Sequence, residues 1–234
     1  MANNFKNAVI RNVSADSTLP TVLYSVPDSK KSIAIELDVA NKGSAGVNVT
    51  VQIEDESKNE TKDQAGTVTA ANAHVISAVD TNASGATAGQ LTTTSNADHN
   101  LIVNDRVLFN FSSAPSFTNA SLPPSGDAAL NANRFYYVQS VTTSAPFKFT
   151  IAETKSATSA LTFDAAGGGL EFKKIHLADV VKDAPVPVGG TLKVISGQKL
   201  VLESSAASSN DKLYAYCTSA NDVDAIASVL EDVS

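Results

Sequence analysis

Residues 32–40 place Ile33, Ile35, Leu37 and Val39 at every second position, with Ser32, Ala34, Glu36 and Asp38 between them. A period of two marks an extended strand with one face on a core and one toward solvent; an amphipathic helix repeats its apolar positions about every 3.6 residues. The pattern predicts a half-buried strand with Ile33, Ile35, Leu37 and Val39 on its inner face. Asn41-Lys-Gly43-Ser then has turn chemistry, and Val47, Val49, Val51 and Ile53 alternate with Asn48, Thr50 and Gln52. Two such runs around a short turn predict a β-hairpin.

The same texture continues at both ends of the chain. Strands are predicted over residues 7–13, 21–26, 172–178, 191–195, 199–203, 212–217 and 223–230, and Ala184-Pro-Val-Pro-Val-Gly-Gly190 reads as a turn between strands. Val223, Ile226, Ala227 and Leu230 also fall at helical spacing, but the alternation within 222–230 favours a closing strand. Residues 54–64 are charged or polar throughout and read as a surface loop or domain boundary. Beyond them the strands resume from Thr67 in a Thr-, Ala- and Asn-rich texture, over residues 75–79, 90–94, 105–111, 134–142, 147–152 and 160–163. Residues 112–133, with Pro123-Pro124-Ser-Gly126, form a long loop expected to be an interaction surface or a mobile tip. The expected fold is therefore all-β. A β-sandwich (jelly-roll or Ig-like) of residues 1–65 and 169–234 is interrupted by a second small β-domain at 66–168.

Composition narrows the function classes. A formal net charge of −7 and the absence of a basic stripe argue against nucleic acid as a partner. Lys30-Lys31 and Lys173-Lys174 read as solvated turn or edge charges. No apolar run approaches the ~18 residues of a membrane span, and no signal-peptide pattern is seen. The single cysteine, Cys217, shares a strand face with Leu213 and Ala215 and is expected to be a buried, inert thiol.

The search for chemistry finds no catalytic, cofactor-binding or metal-binding residues. The three histidines, His74, His99 and His176, form no zinc-ligand spacing. No G-x-S-x-G elbow occurs. Gly167-Gly-Gly169 precedes a strand rather than a helix, so it reads as a flexible return from the insert instead of a phosphate cradle, and Gly189-Gly190 reads as a hairpin turn. Glu54, Asp55 and Glu56, like Asp222 and Asp224, match no calcium loop and are expected to be solvated surface charge. No enzyme activity is expected, and no cofactor.

Taken together, Asn7-Ala-Val-Ile-Arg-Asn-Val13, Tyr24-Ser-Val-Pro27, Val47-Asn-Val-Thr-Val51, Asp183-Ala-Pro-Val-Pro-Val-Gly-Gly-Thr-Leu192, Gln198-Lys-Leu-Val-Leu-Glu203 and residues 222–231 resemble a family of small virion proteins of tailed phages, including cyanophages. The middle resembles a β-module recurrent in phage particle proteins, through His99-Asn-Leu101, Asn104-Asp-Arg-Val107, Phe135-Tyr-Tyr-Val138 and Phe147-Lys-Phe149. Asn100 and Asn104 stand where that module carries turn glycines. Asn tolerates the left-handed region next best to Gly, so both turns are expected to survive, with His99 in a structural role beside them. The resemblance implies a virion structural protein made in the host cytoplasm, a capsid decoration (cement) protein whose insert projects outward. Its implied partners are other virion proteins, the major capsid protein or tail proteins, and further copies of itself as a homo-oligomer. Two alternatives remain: a tail, neck or baseplate component, and a host-surface glycan-binding module using Tyr136-Tyr137 or the loop 112–133. Because Tyr136 and Tyr137 alternate across a strand, only one can face solvent, and packing of both is the expected arrangement.

Overall fold

The computed structural model describes residues 4–56, 74–82, 84–93, 99–119, 124–206 and 209–232. Residues 57–64 of the charged stretch and the resumption of strands at Thr67 lie outside these. The chain is all-β and divides into two compact units, residues 1–58 with 176–234, and residues 59–175.

The strands run in chain order as β1 (Asn4–Ile10), β2 (Thr21–Ser25), β3 (Lys31–Asn41) and β4 (Val47–Glu54) in the first unit. The second unit holds β5 (His74–Val79), β6 (Leu91–Thr93), β7 (Arg106–Asn110), β8 (Ser116–Phe117), β9 (Tyr136–Val141), β10 (Lys148–Ala152), β11 (Phe163–Ala165) and β12 (Glu171–Ile175). The chain then returns to the first unit with β13 (Leu177–Val186), β14 (Thr191–Ile195), β15 (Leu200–Ala206), β16 (Ser209–Asn210), β17 (Lys212–Cys217) and β18 (Val223–Glu231). The return lies between β12 and β13, not at residue 169. The predicted strand over 172–178 is thus two strands, and its first half belongs to the second unit. Residues 160–162 are not strand, and β11 begins only at Phe163.

The first unit is a sandwich. Sheet one has the order β1-β18-β3, and β14 and β15 both pair with the other edge of β3, end to end, with β16 beyond β15. Sheet two has the order β13-β4-β17-β2. The buried core between them is built from Val, Leu and Ala, including Leu37, Val39, Val49, Val51, Leu202, Leu213, Ala215, Ala225, Ala227 and Val229. The C-terminal segment is a strand whose burial alternates along its whole length, Val223, Ala225, Ala227 and Val229 facing in.

Two expectations fail here for the same reason. β3 and β4 do not form a hairpin: β3 lies in sheet one and β4 in sheet two, so residues 42–46 arch across the core. The Pro187–Gly190 turn, with Gly189 at φ +67°, likewise joins β13 in sheet two to β14 in sheet one. The predicted turn over 184–190 is therefore shorter, since residues 184–186 still pair with β4. Buried Asn41 staples the two arches: its N–H donates to the Gly190 carbonyl at 2.9 Å, and its Nδ2 donates to Val186 O at 3.0 Å and Ala45 O at 2.8 Å. Alternation specifies which side of a strand is apolar. It does not specify whether the next strand lies beside it or across the core.

The second unit contains a closed six-stranded antiparallel barrel, β10-β6-β5-β12-β7-β9, with the β11-β8 ribbon as a separate two-stranded sheet. Its core is aromatic: Phe109, Phe117, Tyr136, Phe149, Phe163 and Phe172 are buried together. Phe149 packs on Phe172 with ring centroids 4.8 Å apart, and Phe109 meets Tyr136 edge-on at 5.8 Å. Asn100 (φ +50°) and Asn104 (φ +73°) are both left-handed, as their turns require. His99 holds the first turn, accepting from Leu101 N through Nδ1 at 3.1 Å and standing edge-on to Phe149.

The long loop 112–133 is packed over much of its described length. Phe117 and Leu130 are buried in the barrel core, and β8 pairs with β11. Its base is tied down by a buried ion cluster. Arg134 Nε lies 3.0 Å from Asp127 Oδ2 and 3.1 Å from Glu153 Oε1, while Glu153 also accepts from Ser125 N at 2.9 Å and Ser125 Oγ at 2.6 Å. The glycine run 167–169 is no loose return. Gly168 bridges Ser113, Gly167 and Gly169 have φ of +65° and +60°, and a Cβ on Gly167 would lie 2.4 Å from Ser113 O.

Candidate assembly surface

A bulge in β3 creates the surface on which a functional reading rests. Pairing with β18 shifts register between Ser228 and Val229, so that Ser228 opposes Glu36 and Val229 opposes Ala34. Ile35 is the additional residue. One extra residue reverses the facing of everything beyond it. Leu37 and Val39 point into the core as predicted, but Ile33 and Ile35 turn to the outer face, and Ser32 and Ala34, both fully buried, take the inner one. The predicted single inner face of Ile33, Ile35, Leu37 and Val39 is therefore split at the bulge.

Ile33 thereby joins a transverse apolar row on the outside of sheet one. Phe5 pairs with Leu230, Leu230 with Ile33, and Ile33 with Val201, so one apolar side chain from each of four adjacent strands lies in line. Directly paired residues project from the same face of a sheet. Phe5 is 58% and Val201 54% exposed, and Leu230 and Ile33 are half-buried. Val9, paired with Ile226, adds a second exposed apolar pair on the same face at 57% and 47% exposure, separated from the row by the polar Asn7, Ser228 and Glu36. Ion pairs flank the row, Lys31–Glu203 at 2.9 Å on one side and Lys193–Glu36 at 2.9 Å on the other, and Lys42–Asp224 at 2.7 Å lies beyond Ile226. The Lys42 contact holds the Asp224 carboxyl below the usual carboxylate range. A patch of matched charges around an apolar centre has the anatomy of a protein contact, an apolar middle with a polar rim.

The outside of sheet two is the reverse. Thr50, Gln52 and Glu54, predicted to face solvent, are buried there. Thr50 Oγ1 accepts from Asp183 N at 3.0 Å, Gln52 Nε2 donates to Asp179 Oδ1 at 2.7 Å, and Glu54 accepts from Tyr214 OH at 2.7 Å. Glu54 is thus not solvated surface charge. It is fully buried beside Lys212 at 3.5 Å. Burial raises the Tyr214 phenol well above its ordinary range, and the Glu54 carboxylate raises it further. Tyr24 behaves alike at the end of the core, where its hydroxyl donates to Glu231 at 2.8 Å and lies 2.8 Å from Ser32 Oγ.

The remaining candidates resolve one by one. Cys217 is buried, its Sγ 3.0 Å from Ser219 O, and burial raises its thiol pKa. Lys174 is no solvated edge charge; it pairs with Asp105 at 2.9 Å with its side chain only 14% exposed. Asp224 is paired to Lys42, and Asp222 accepts from Ser219 Oγ. Among the described residues no cluster of three or more metal-ligating side chains occurs. Tyr136 and Tyr137 are both buried, the second beneath the Arg106 guanidinium at 5.5 Å, so neither offers a ring to a glycan without unpacking. No helix among the described residues is long and apolar enough to cross a membrane.

Sequence reasoning missed Phe5 because the alternation appeared to start at Asn7. The signal was present: in β1 both phases are apolar, Phe5 and Val9 on one and Ala8 and Ile10 on the other. A strand with apolar residues in both phases has a use for both faces. No family model, no curated protein and no solved structure matches the chain.

Proposed function

We propose that the chain is a structural protein of a tailed-phage virion, a capsid decoration protein that seats on the shell through the outer face of sheet one. The observation that carries this reading is the registered row Phe5, Leu230, Ile33 and Val201 exposed on that face. The resemblance of both chain ends to small virion proteins supports it. Apolar side chains held on a rigid sheet cost little ordering entropy on docking, which suits a part that acts by contact area.

Saturable binding of the purified chain to undecorated shells, followed by cosedimentation, tests the proposal. Val201→Asp is expected to weaken that binding at least tenfold while leaving the melting temperature unchanged, since Val201 is more than half exposed. Mass spectrometry of separated heads and tails gives the location. Recovery with tails only assigns the chain to a tail, neck or baseplate position, and absence from purified particles ends the virion reading.

A further inference from the structure

Among the described residues no strand pairs with the outer edge of β1, the second unusual feature of the sandwich. β1 pairs with β18 over seven residues with no register shift, so its outer edge is straight and offers a regular ladder of backbone donors and acceptors. Sheet edges in soluble proteins are normally blunted by bulges, proline or charge. β13, at an edge of sheet two, has all three: register breaks between Asp179 and Val181 and between Val181 and Ala184, Pro185, and the charges Asp179, Lys182 and Asp183. β2, at the other edge of sheet two, is five residues long and interrupted by a register shift. β1 has neither bulge nor proline. Its one charge, Lys6, is paired with Glu231 at 3.0 Å.

The sequence of β1 is also complementary to itself. In an antiparallel pair of two β1 strands centred on Asn7, Phe5 lies opposite Val9 of the second copy, Lys6 opposite Ala8, Asn4 opposite Ile10, and Asn7 opposite its own equivalent. No like charges face each other. Phe5 and Val9 are on the outer face and more than half exposed, so the pairing covers both. It also brings the row that starts at Phe5 against the Val9–Ile226 pair of the other copy, making two symmetry-related apolar bands across both sheets, one on either side of the paired Asn7 residues.

We infer that two copies of this chain pair through β1, antiparallel about Asn7, joining their first sheets into one continuous sheet across a two-fold axis. Such a contact is isologous and closes, because each β1 has only one free edge. It stands apart from the virion reading, as it concerns the chain alone in solution, and Val201, which the shell-binding test uses, lies at the far end of the row.

Sedimentation and cross-linking of the full chain test the pairing. The wild type is expected to reach twice its mass of 24.2 kDa with increasing concentration. Val9→Lys and Phe5→Lys are each expected to weaken the dimer by roughly tenfold or more, because each puts an unpaired charge in the seam. Asn7→Cys is expected to form a disulfide-linked dimer on mild oxidation, since directly opposed strand positions lie within disulfide reach. Asn4→Cys, opposite Ile10, is expected not to do so, and the native Cys217 is buried and does not compete. A wild type that stays at 24.2 kDa at its highest soluble concentration overturns the inference. So does an oligomer that survives both lysine substitutions, or cross-linking at position 4 equal to that at position 7.

Discussion

The sandwich and the barrel solve the same problem with different side chains. Between two sheets about 10 Å apart, Val, Leu and Ala fill the space, and the buried sandwich core contains no Phe. A sheet closed on itself must fill an interior from all sides at once, and the second unit does so with Phe109, Tyr136, Phe149 and Phe172 from barrel strands, joined in the same core cluster by Phe117 and Phe163 of the ribbon. Closure also removes edges. The barrel strands close on each other, whereas among the described residues the outer edge of β1 in the sandwich is unpaired, and the exposed Phe5, Val201 and Ile226 of β1, β15 and β18 lie on one face. The comparison therefore sets a sandwich with one unpaired outer strand against a barrel whose six strands are all paired on both sides.

The hardest test of that comparison is to remove one ring from the barrel. Phe149→Ala, at a position 1% exposed and packed on Phe172 and His99, is expected to cost about 3–5 kcal/mol. Hydrogen exchange read by mass spectrometry should lose protection in β5 to β12 and keep it in β3, β4, β17 and β18. Uniform loss over both units would break the comparison, since the two cores would then act as one.

Arg134→Met probes the barrel's other support. It strands Glu153 as a buried carboxylate with the Ser125 contacts alone, at an expected cost of about 3 kcal/mol by denaturant melts. Adding Glu153→Leu should recover most of the loss. If the single substitution is silent, the cluster does not hold the loop base.

In the sandwich, Tyr214→Phe leaves Glu54 without its hydroxyl donor and is expected to cost about 1–3 kcal/mol. It also has a pH signature. The Tyr24 and Tyr214 phenols are raised in the folded state, so the stability they contribute is complete below the ordinary phenol pKa of about 10 and declines as pH rises past it. Melting temperature measured against pH should fall above that point, and more gently in Tyr214→Phe. An identical slope would remove the buried phenol as its cause.

The smallest effect is expected on the rim of the apolar face. Asp224→Asn loses an exposed ion pair with Lys42 and should cost less than about 1 kcal/mol, and less still in high salt. Because the Asp224 carboxyl is lowered in the folded state, its contribution is present above about pH 4 and is lost as pH falls through the lower folded value. Thermal melts at two salt concentrations would show it.

Much of this molecule was legible in order along the chain. Alternation located nearly every sandwich strand and most barrel strands, the pattern at 222–230 identified the closing strand over the helix, and the asparagines at 100 and 104 marked left-handed turns. The candidate surface was far less legible. Phe5 lay before the strand read from Asn7 onward, Val9 was not marked as outward-facing within it, and Ile33 was assigned to the core. The loop 112–133 and the glycines at 167–169 looked loose because nothing local to either segment reveals that they pack on each other through Ser113 and Gly168.

What the amino-acid order determined by itself was local: where the chain extends, where it turns, and which side of each strand is apolar, because steric preference and a period of two act within a few residues. What only the tertiary structure decided was which strands became neighbours and where the register slipped. β3 and β4 lie across the core because pairing with β18, β14, β13 and β17 takes up their edges. One bulge, fixed by the pairing of β3 with β18, then turned Ile33 outward and completed the row on which the assembly surface rests.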